Sequence, residues 1–145
     1  MPSLTHPRLL LAAVVALAGL AWLVERLVVT DPEAVAAVLD EVADAASRGD
    51  WDAVAAAIDD DFLEAGRGKD AFLAWAKGQW SRANLRAIAL DVRDVRVEGD
   101  QAAARVEATL QPYAVRVPGR VDLARRGDAW RIVRAAPDNP AFFGR

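Results

Sequence analysis

Three aspartates in succession, Asp59, Asp60 and Asp61, stand before Phe62. Carboxylates this close together can serve as a general base, hold an oxygen-preferring cation or anchor a polar ligand. The same residues at a helix end can be nothing more than a solvated terminus. The rest of the chemical inventory narrows the choice. The chain has no cysteine, and its one histidine is His6 near the amino terminus. Thiolate metal sites, cysteine nucleophiles and disulfides are excluded, and zinc sites and histidine triads lack their usual residues. No metal and no cofactor are expected. No glycine-rich phosphate loop and no base-stacking motif is visible, so nucleic acid is not an expected partner. Arg-Gly-Asp occurs at 48–50 and again at 126–128, and turn chemistry explains both copies.

These residues need a scaffold, and 145 residues suffice for one domain with a core. Apolar residues make up 54% of the chain, with the surplus near the amino terminus. From Leu9 to Val24 there is no charge, then Glu25 and Arg26 interrupt, and Leu27 to Val29 continue. A spanning helix needs about 20 apolar residues. The reading is a membrane anchor over residues 9–29, with Trp22 at an interface and Glu25 and Arg26 among headgroups. A cleaved signal peptide ending at Ala16-Leu17-Ala18 is the competitor, and a soluble core helix fits least. Cleavage after Ala18 would leave an apolar stretch on the mature chain, so the uncleaved anchor is preferred. Arg8 before the segment favours a single-pass protein of the cell membrane with its domain outside the cytoplasm. The Ala/Arg-rich, Lys-poor usage points to a bacterium of high genomic GC content.

Residues 30–145 form the second expected domain. Val35, Val38, Leu39, Val42 and Ala46 recur at helical spacing after the Thr30-to-Glu33 capping box, and Gly49 ends that helix. Asp50 caps a second helix carrying Trp51, Val54 and Ile58, which ends at about the aspartate triplet. Residues 62–69 read as a short extended or hairpin piece, and a third helix runs from Lys69 to Arg82. Beyond Asn84 the period becomes two. Ile88, Leu90 and Val92 alternate in one phase, and Val95 and Val97 in the other, which places a bulge near Arg93-Asp94. A Gly99-Asp100 turn pairs Val97 with Ala102 and Val95 with Ala104. Pro112 marks an edge, bulge or strand end, Pro118-Gly119 reads as a turn, and a last hairpin turns at Arg126-Gly127. Phe142 and Phe143 in the tail are expected to dock on the body. The fold class is α+β: an N-terminal transmembrane helix, then three helices on a curved antiparallel sheet.

Charge is uneven. Residues 31–70 hold twelve acidic and three basic residues, whereas residues 71–145 hold eight acidic and thirteen basic. A solvated arginine-rich sheet face is the preferred account.

The element order resembles the nuclear transport factor 2-like superfamily, a cystatin-like cone that includes ketosteroid isomerase and the SnoaL-like cyclases. The stretches that carry the resemblance are "SRGDWDAVAAAIDDDF", "GKDAFLAW", and the paired strands "VRVEGDQAAARVEATL" and "VDLARRGDAWRIVRA". Together they span most of residues 31–137. They mark a fold and not a reaction. The resemblance places the triplet where the chain leaves helix two towards the mouth of the cone, with Phe62 inward and the acids mostly in water.

Enzymes of this kind build sites from ionisable groups inside an apolar cavity. The inward strand set here, from Val95 and Val97 through Val106 and Leu123 to Trp130 and Ile132, has no acid, base or hydroxyl. Ketosteroid isomerase pairs a base aspartate with a tyrosine and a protonated aspartate, and no equivalent set falls inward. The expected function is a membrane-anchored, non-catalytic binding or assembly module. It takes a small hydrophobic ligand against Trp75, Val106 and Trp130, or a partner or second copy through the sheet. The alternative is a SnoaL-like isomerase, cyclase or hydrolase, with Asp61 as base and Tyr113 assisting.

Overall fold

The computed structural model describes residues 11–20 and 30–139. The chain divides into two units, Met1–Thr30 and Asp31–Arg145. In the first, residues 11–20 are helical (α1). Residues 9, 10 and 21–29 of the expected anchor lie outside the described residues. Among the described residues no helix is long and apolar enough to cross a membrane.

The second unit runs α2 (Asp31–Ser47), α3 (Trp51–Ala57), β1 (Leu63–Glu64), β2 (Arg67–Gly68), α4 (Lys69–Arg82), β3 (Ala87–Glu98), β4 (Gln101–Gln111), β5 (Val115–Arg126) and β6 (Ala129–Pro137). β3 to β6 form one antiparallel sheet in sequence order, and β1 pairs only with β2. Local chemistry sets the boundaries. Gly49 is left-handed at φ 72° and ends α2, with the Asp50 N–H donating to Ala45 O at 2.9 Å. Asp50 then accepts from Ala53 N–H at 3.2 Å and starts α3. Ser47 Oγ accepts from Ile88 N–H at 3.0 Å, which fastens the end of α2 to β3.

The expected bulge is present. Arg93 pairs with Arg105 and Val95 with Ala104, which leaves Asp94 as the extra residue, at φ 45°. Val97 pairs with Ala102 as expected. A second bulge lies in β6, where Ile132 pairs with Leu123 and Arg134 with Asp122, so Val133 is the extra residue. The last hairpin turns at Gly127-Asp128, one residue later than its expected centre, because Arg126 pairs with Ala129.

Pro118-Gly119 is not a turn. Both residues lie inside β5, opposite Glu107 and Val106 of β4. In a strand the N–H and C=O of one residue point the same way, and Pro118 O accepts from Asp138 N–H just past the end of β6. The missing proline N–H therefore falls at a strand end and leaves the β4 ladder intact. The turn is earlier, between β4 and β5, where Gln111-Pro112 is cis and Ala114 has φ 54°.

The core lies between the sheet and helices α2 and α3. Val35, Leu39, Val54, Ile58 and Phe62 meet Ala104, Leu123, Trp130 and Ile132. Ile58 makes a parallel bridge with Ile132, and the Asp59 N–H donates to Ile132 O at 2.8 Å. Helix α4 differs, because none of its residues is buried. Phe142 and Phe143 lie outside the described residues.

Candidate functional site

Helix α4 stands off the sheet because its inner side is bulky and the strand residues below it are small. Phe72, Trp75 and Trp80 face Val106, Ala108, Val117 and Gly119 across a groove of about 550 Å³. Phe72 packs on Trp75 with ring centroids 5.9 Å apart, and on Phe62 at 4.7 Å. Trp80 meets Trp51 edge-on at 5.7 Å, which ties the far end of α4 to α3. The Arg67 guanidinium lies 5.0 Å from the Trp75 ring centroid.

Gly119 keeps the floor of the groove low. A Cβ at that position would lie 2.8 Å from Ala136 O, so the backbones of β5 and β6 approach too closely for a side chain. Among the described residues no Asp or Glu lines the groove. Its lining includes Arg120, but strand alternation sends that side chain to the other face of the sheet, where Nε donates to Asp122 Oδ1 at 2.8 Å. The remaining polar side chains are Gln79 and Tyr113. Tyr113 is 57% exposed, and its hydroxyl donates to Ala83 O at 2.7 Å.

A second concavity of about 750 Å³ lies towards the Gly99 turn, with Asp61, Arg96, Glu98, Asp122 and Arg126 in its walls. The structure thus puts Asp61 and Tyr113 in different concavities. Trp75 and Val106 both line the groove. Trp130 does not; it is buried in the core, with the Arg125 guanidinium 4.8 Å from its ring centroid.

The triplet splits into three environments. Asp60 projects into solvent with its carboxylate 3.2 Å from Lys69 Nζ. The Asp61 side chain is 86% exposed, 3.8 Å from Arg126 Nη2. Asp59 is buried. It accepts from Arg126 Nε at 3.1 Å and from the Asp61 N–H at 3.1 Å. The Arg126 hydrogen bond holds its carboxyl below the ordinary value of 3.8, against burial, which works the other way. A carboxylate held ionised and already spoken for by an arginine is a structural tie and a poor base. Sequence reasoning missed this residue. Arg126 is 67 positions away, and no local pattern announces such a pair. Among the described residues no group of acidic or histidine side chains could hold a metal ion.

Comparisons with known proteins agree with this architecture. An NTF2-like protein with a cystatin-like fold from Novosphingobium aromaticivorans is 25% identical, with a TM-score of 0.62, over 83% of this chain and 86% of that one. An NTF2-like protein of unknown function from Shewanella oneidensis has a TM-score of 0.64 at 15% identity, over 74% of this chain and 98% of its own. Bd1075 of Bdellovibrio bacteriovorus has a TM-score of 0.59 at 13% identity, and the match covers 71% of this chain but only 39% of that longer protein. No curated protein matches. The model of the SnoaL-like domain matches residues 35–135, from the first buried valine of α2 to the last strand, and the chain belongs to that family.

Proposed function

We propose that the domain is a non-catalytic binding module whose groove between α4 and the sheet takes a small hydrophobic ligand. The observation that carries this reading is the lining: aromatic and aliphatic side chains enclose about 550 Å³ with no carboxylate among them. Burying an unpaired ion there costs several kcal/mol, roughly, and an apolar molecule meets no such cost. Trp75 and Val106 are ligand contacts in this reading, and Trp130 supports them from the core. The alternative, an isomerase, cyclase or hydrolase with Asp61 as base and Tyr113 assisting, is less well supported, since these residues line separate concavities.

The sequence adds a proposal about place. The uncharged run from Leu9 to Val24 supports a tether to the cell membrane through residues 9–29, with the domain outside the cytoplasm. Carbonate extraction of membranes and protease protection test that part separately.

The test of the binding reading is extraction of the purified protein followed by mass spectrometry, with Nile red titration as a second readout. A stoichiometric apolar small molecule, or saturable dye binding that quenches Trp75 and Trp80, is the expected result. A dry extract together with no dye binding would sink the reading. Turnover that disappears in Asp61→Asn would replace it with the enzymatic one.

A further inference from the structure

The groove between α4 and the sheet is lined mainly from two segments that carry cations and no acid. Residues 71–90 hold Lys77, Arg82 and Arg86, and residues 108–121 hold Arg116 and Arg120. All of the lining except Val106 and the end of β6 comes from these two segments. Arg116 and Arg120 project from the far face of the sheet, where they pair with Glu107 at 3.9 Å and Asp122 at 2.8 Å. Arg82 and Arg86 flank the open end of the groove. Arg82 precedes Ala83 and Arg86 follows Leu85, and both Ala83 and Leu85 line it. The Tyr113 hydroxyl donates to Ala83 O at 2.7 Å, and the Arg86 N–H donates to Gln111 O at 2.9 Å. The end of α4, the start of β3 and the turn after β4 therefore meet at this mouth. Tyr113 and Val115 open it to water, being 57% and 41% exposed. Arg82 and Arg86 are exposed too, and among the described residues neither has an acidic partner.

An apolar groove with a cationic mouth fits a molecule with an apolar body and an anionic end. A wholly apolar guest would leave both arginines unused, and a cationic one would be repelled. Arg82 also complements the negative end of the α4 dipole. That need is small, because Tyr113 already serves Ala83 O, and Arg86 lies beyond the helix. We propose that the guest is a single-chain fatty carboxylate, its chain between α4 and the sheet and its carboxylate held at the mouth by Arg82 and Arg86. This rests on the groove being the binding site. A volume of about 550 Å³ suits one acyl chain rather than the two of a phospholipid. The carboxylate stays in contact with water, so the cost of burying an ion does not arise. Arginine offers it a planar fork of donors, which an alcohol uses less well. A bilayer surface would ask for a broad basic face. The far face of the sheet instead sets Asp91 beside Arg93 and Glu107 beside Arg116.

The test is calorimetric titration of the full chain with decanoate and with decan-1-ol, which share a chain and differ in the charge of the head. A nonionic amphipol keeps the apolar N-terminal stretch in solution without adding charge. Three proteins are compared: the parent, the double variant Arg82→Gln/Arg86→Gln, and Arg116→Gln, which removes a cation from the far face. The double variant is expected to lose about tenfold or more in decanoate affinity and to keep decanol within about threefold of the parent, which also shows that it is folded. Arg116→Gln should keep both ligands within about threefold. Raising salt from about 50 to about 500 mM should weaken decanoate alone. Decanol binding with a decanoate affinity that the double variant leaves unchanged overturns the carboxylate assignment and leaves the groove as a site. An equal decanoate loss in Arg116→Gln overturns it too, since net charge would then be the cause. Failure of both ligands to bind the parent removes the groove reading itself, and this inference with it.

Discussion

Arg126 Nε donates to Asp59 Oδ1 at 3.1 Å, joining the exit of α3 to the turn between β5 and β6. With Asp59 N–H on Ile132 O and the Ile58–Ile132 bridge, it fixes how the second helix meets the last hairpin. Asp59→Ala removes a buried acceptor and leaves the Asp61 N–H without its partner. The expected loss is about 1–3 kcal/mol in urea unfolding. Asp60→Ala and Asp61→Ala, at exposed positions, change stability by less than about 0.5 kcal/mol. Equal losses at all three positions would contradict the split of the triplet.

Acid should expose the same tie. The folded protein holds the Asp59 carboxyl below its ordinary value of 3.8, first because Arg126 hydrogen-bonds it. A group with a depressed folded value binds its proton more readily when unfolded. Its contribution is complete above about pH 4 and is lost as pH falls through the lower folded value. Unfolding free energy measured between pH 5 and pH 2 should therefore fall below about pH 4, and the fall should be shallower in Asp59→Asn. An identical profile in that variant would assign acid lability elsewhere.

Gly119 makes a prediction about shape. Its side-chain position is closed by Ala136 O at 2.8 Å. Gly119→Ala should force β5 and β6 apart and cost about 1–3 kcal/mol. A glycine of ordinary turn type such as Gly127, with nothing near its Cβ position, would lose stability only through its φ of 63°. A melting temperature unchanged in Gly119→Ala would refute the close approach.

The groove can be filled from its floor. Ala108 lines it and is only partly buried. Ala108→Trp should occupy the space, reduce Nile red affinity by roughly tenfold and leave the far-ultraviolet circular dichroism unchanged. Retained dye affinity would place the dye somewhere other than the groove.

The bulge at Asp94 is held at φ 45°, where glycine is at ease and most side chains are strained. Asp94→Gly should be neutral or stabilising by up to about 1 kcal/mol, and Asp94→Val destabilising by about 1–2 kcal/mol. The reverse order in thermal melts would contradict the assignment.

Much of the scaffold could be read from residue periodicity, and the reasons are local. The phase change between Val92 and Val95 could be read as a bulge because the period of a strand is two. Gly49 and Asp50 carried their cap chemistry on the page, and the third helix runs over the expected residues Lys69–Arg82. Pro118-Gly119 misled because proline next to glycine is turn chemistry unless β6 happens to end beside it, which is a fact about a neighbouring strand. The groove was partly legible. An inward set free of acids followed from alternation, but the depth depends on Gly119 meeting Ala136 and on α4 standing clear. Trp130 looked like a wall of the cavity. It is a core residue because the bulge at Val133 and the bridge to Ile58 set the start of β6 beneath α3. Asp59 could not be separated from Asp60 and Asp61, since what distinguishes it is Arg126.

Helix α4 buries none of its residues, while α2 and the strands beneath it supply most of the core. The free energy of local opening is therefore lower along α4 than around Leu39, Phe62 and Leu123. Anything seated in the groove touches both α4 and the sheet, so it must raise the opening free energy of α4 by an amount set by its concentration relative to its dissociation constant. The amide hydrogens of α4 thus form a built-in occupancy gauge. Their exchange slows as the groove fills, whatever the chemical identity of the guest, while those of α2 hardly change.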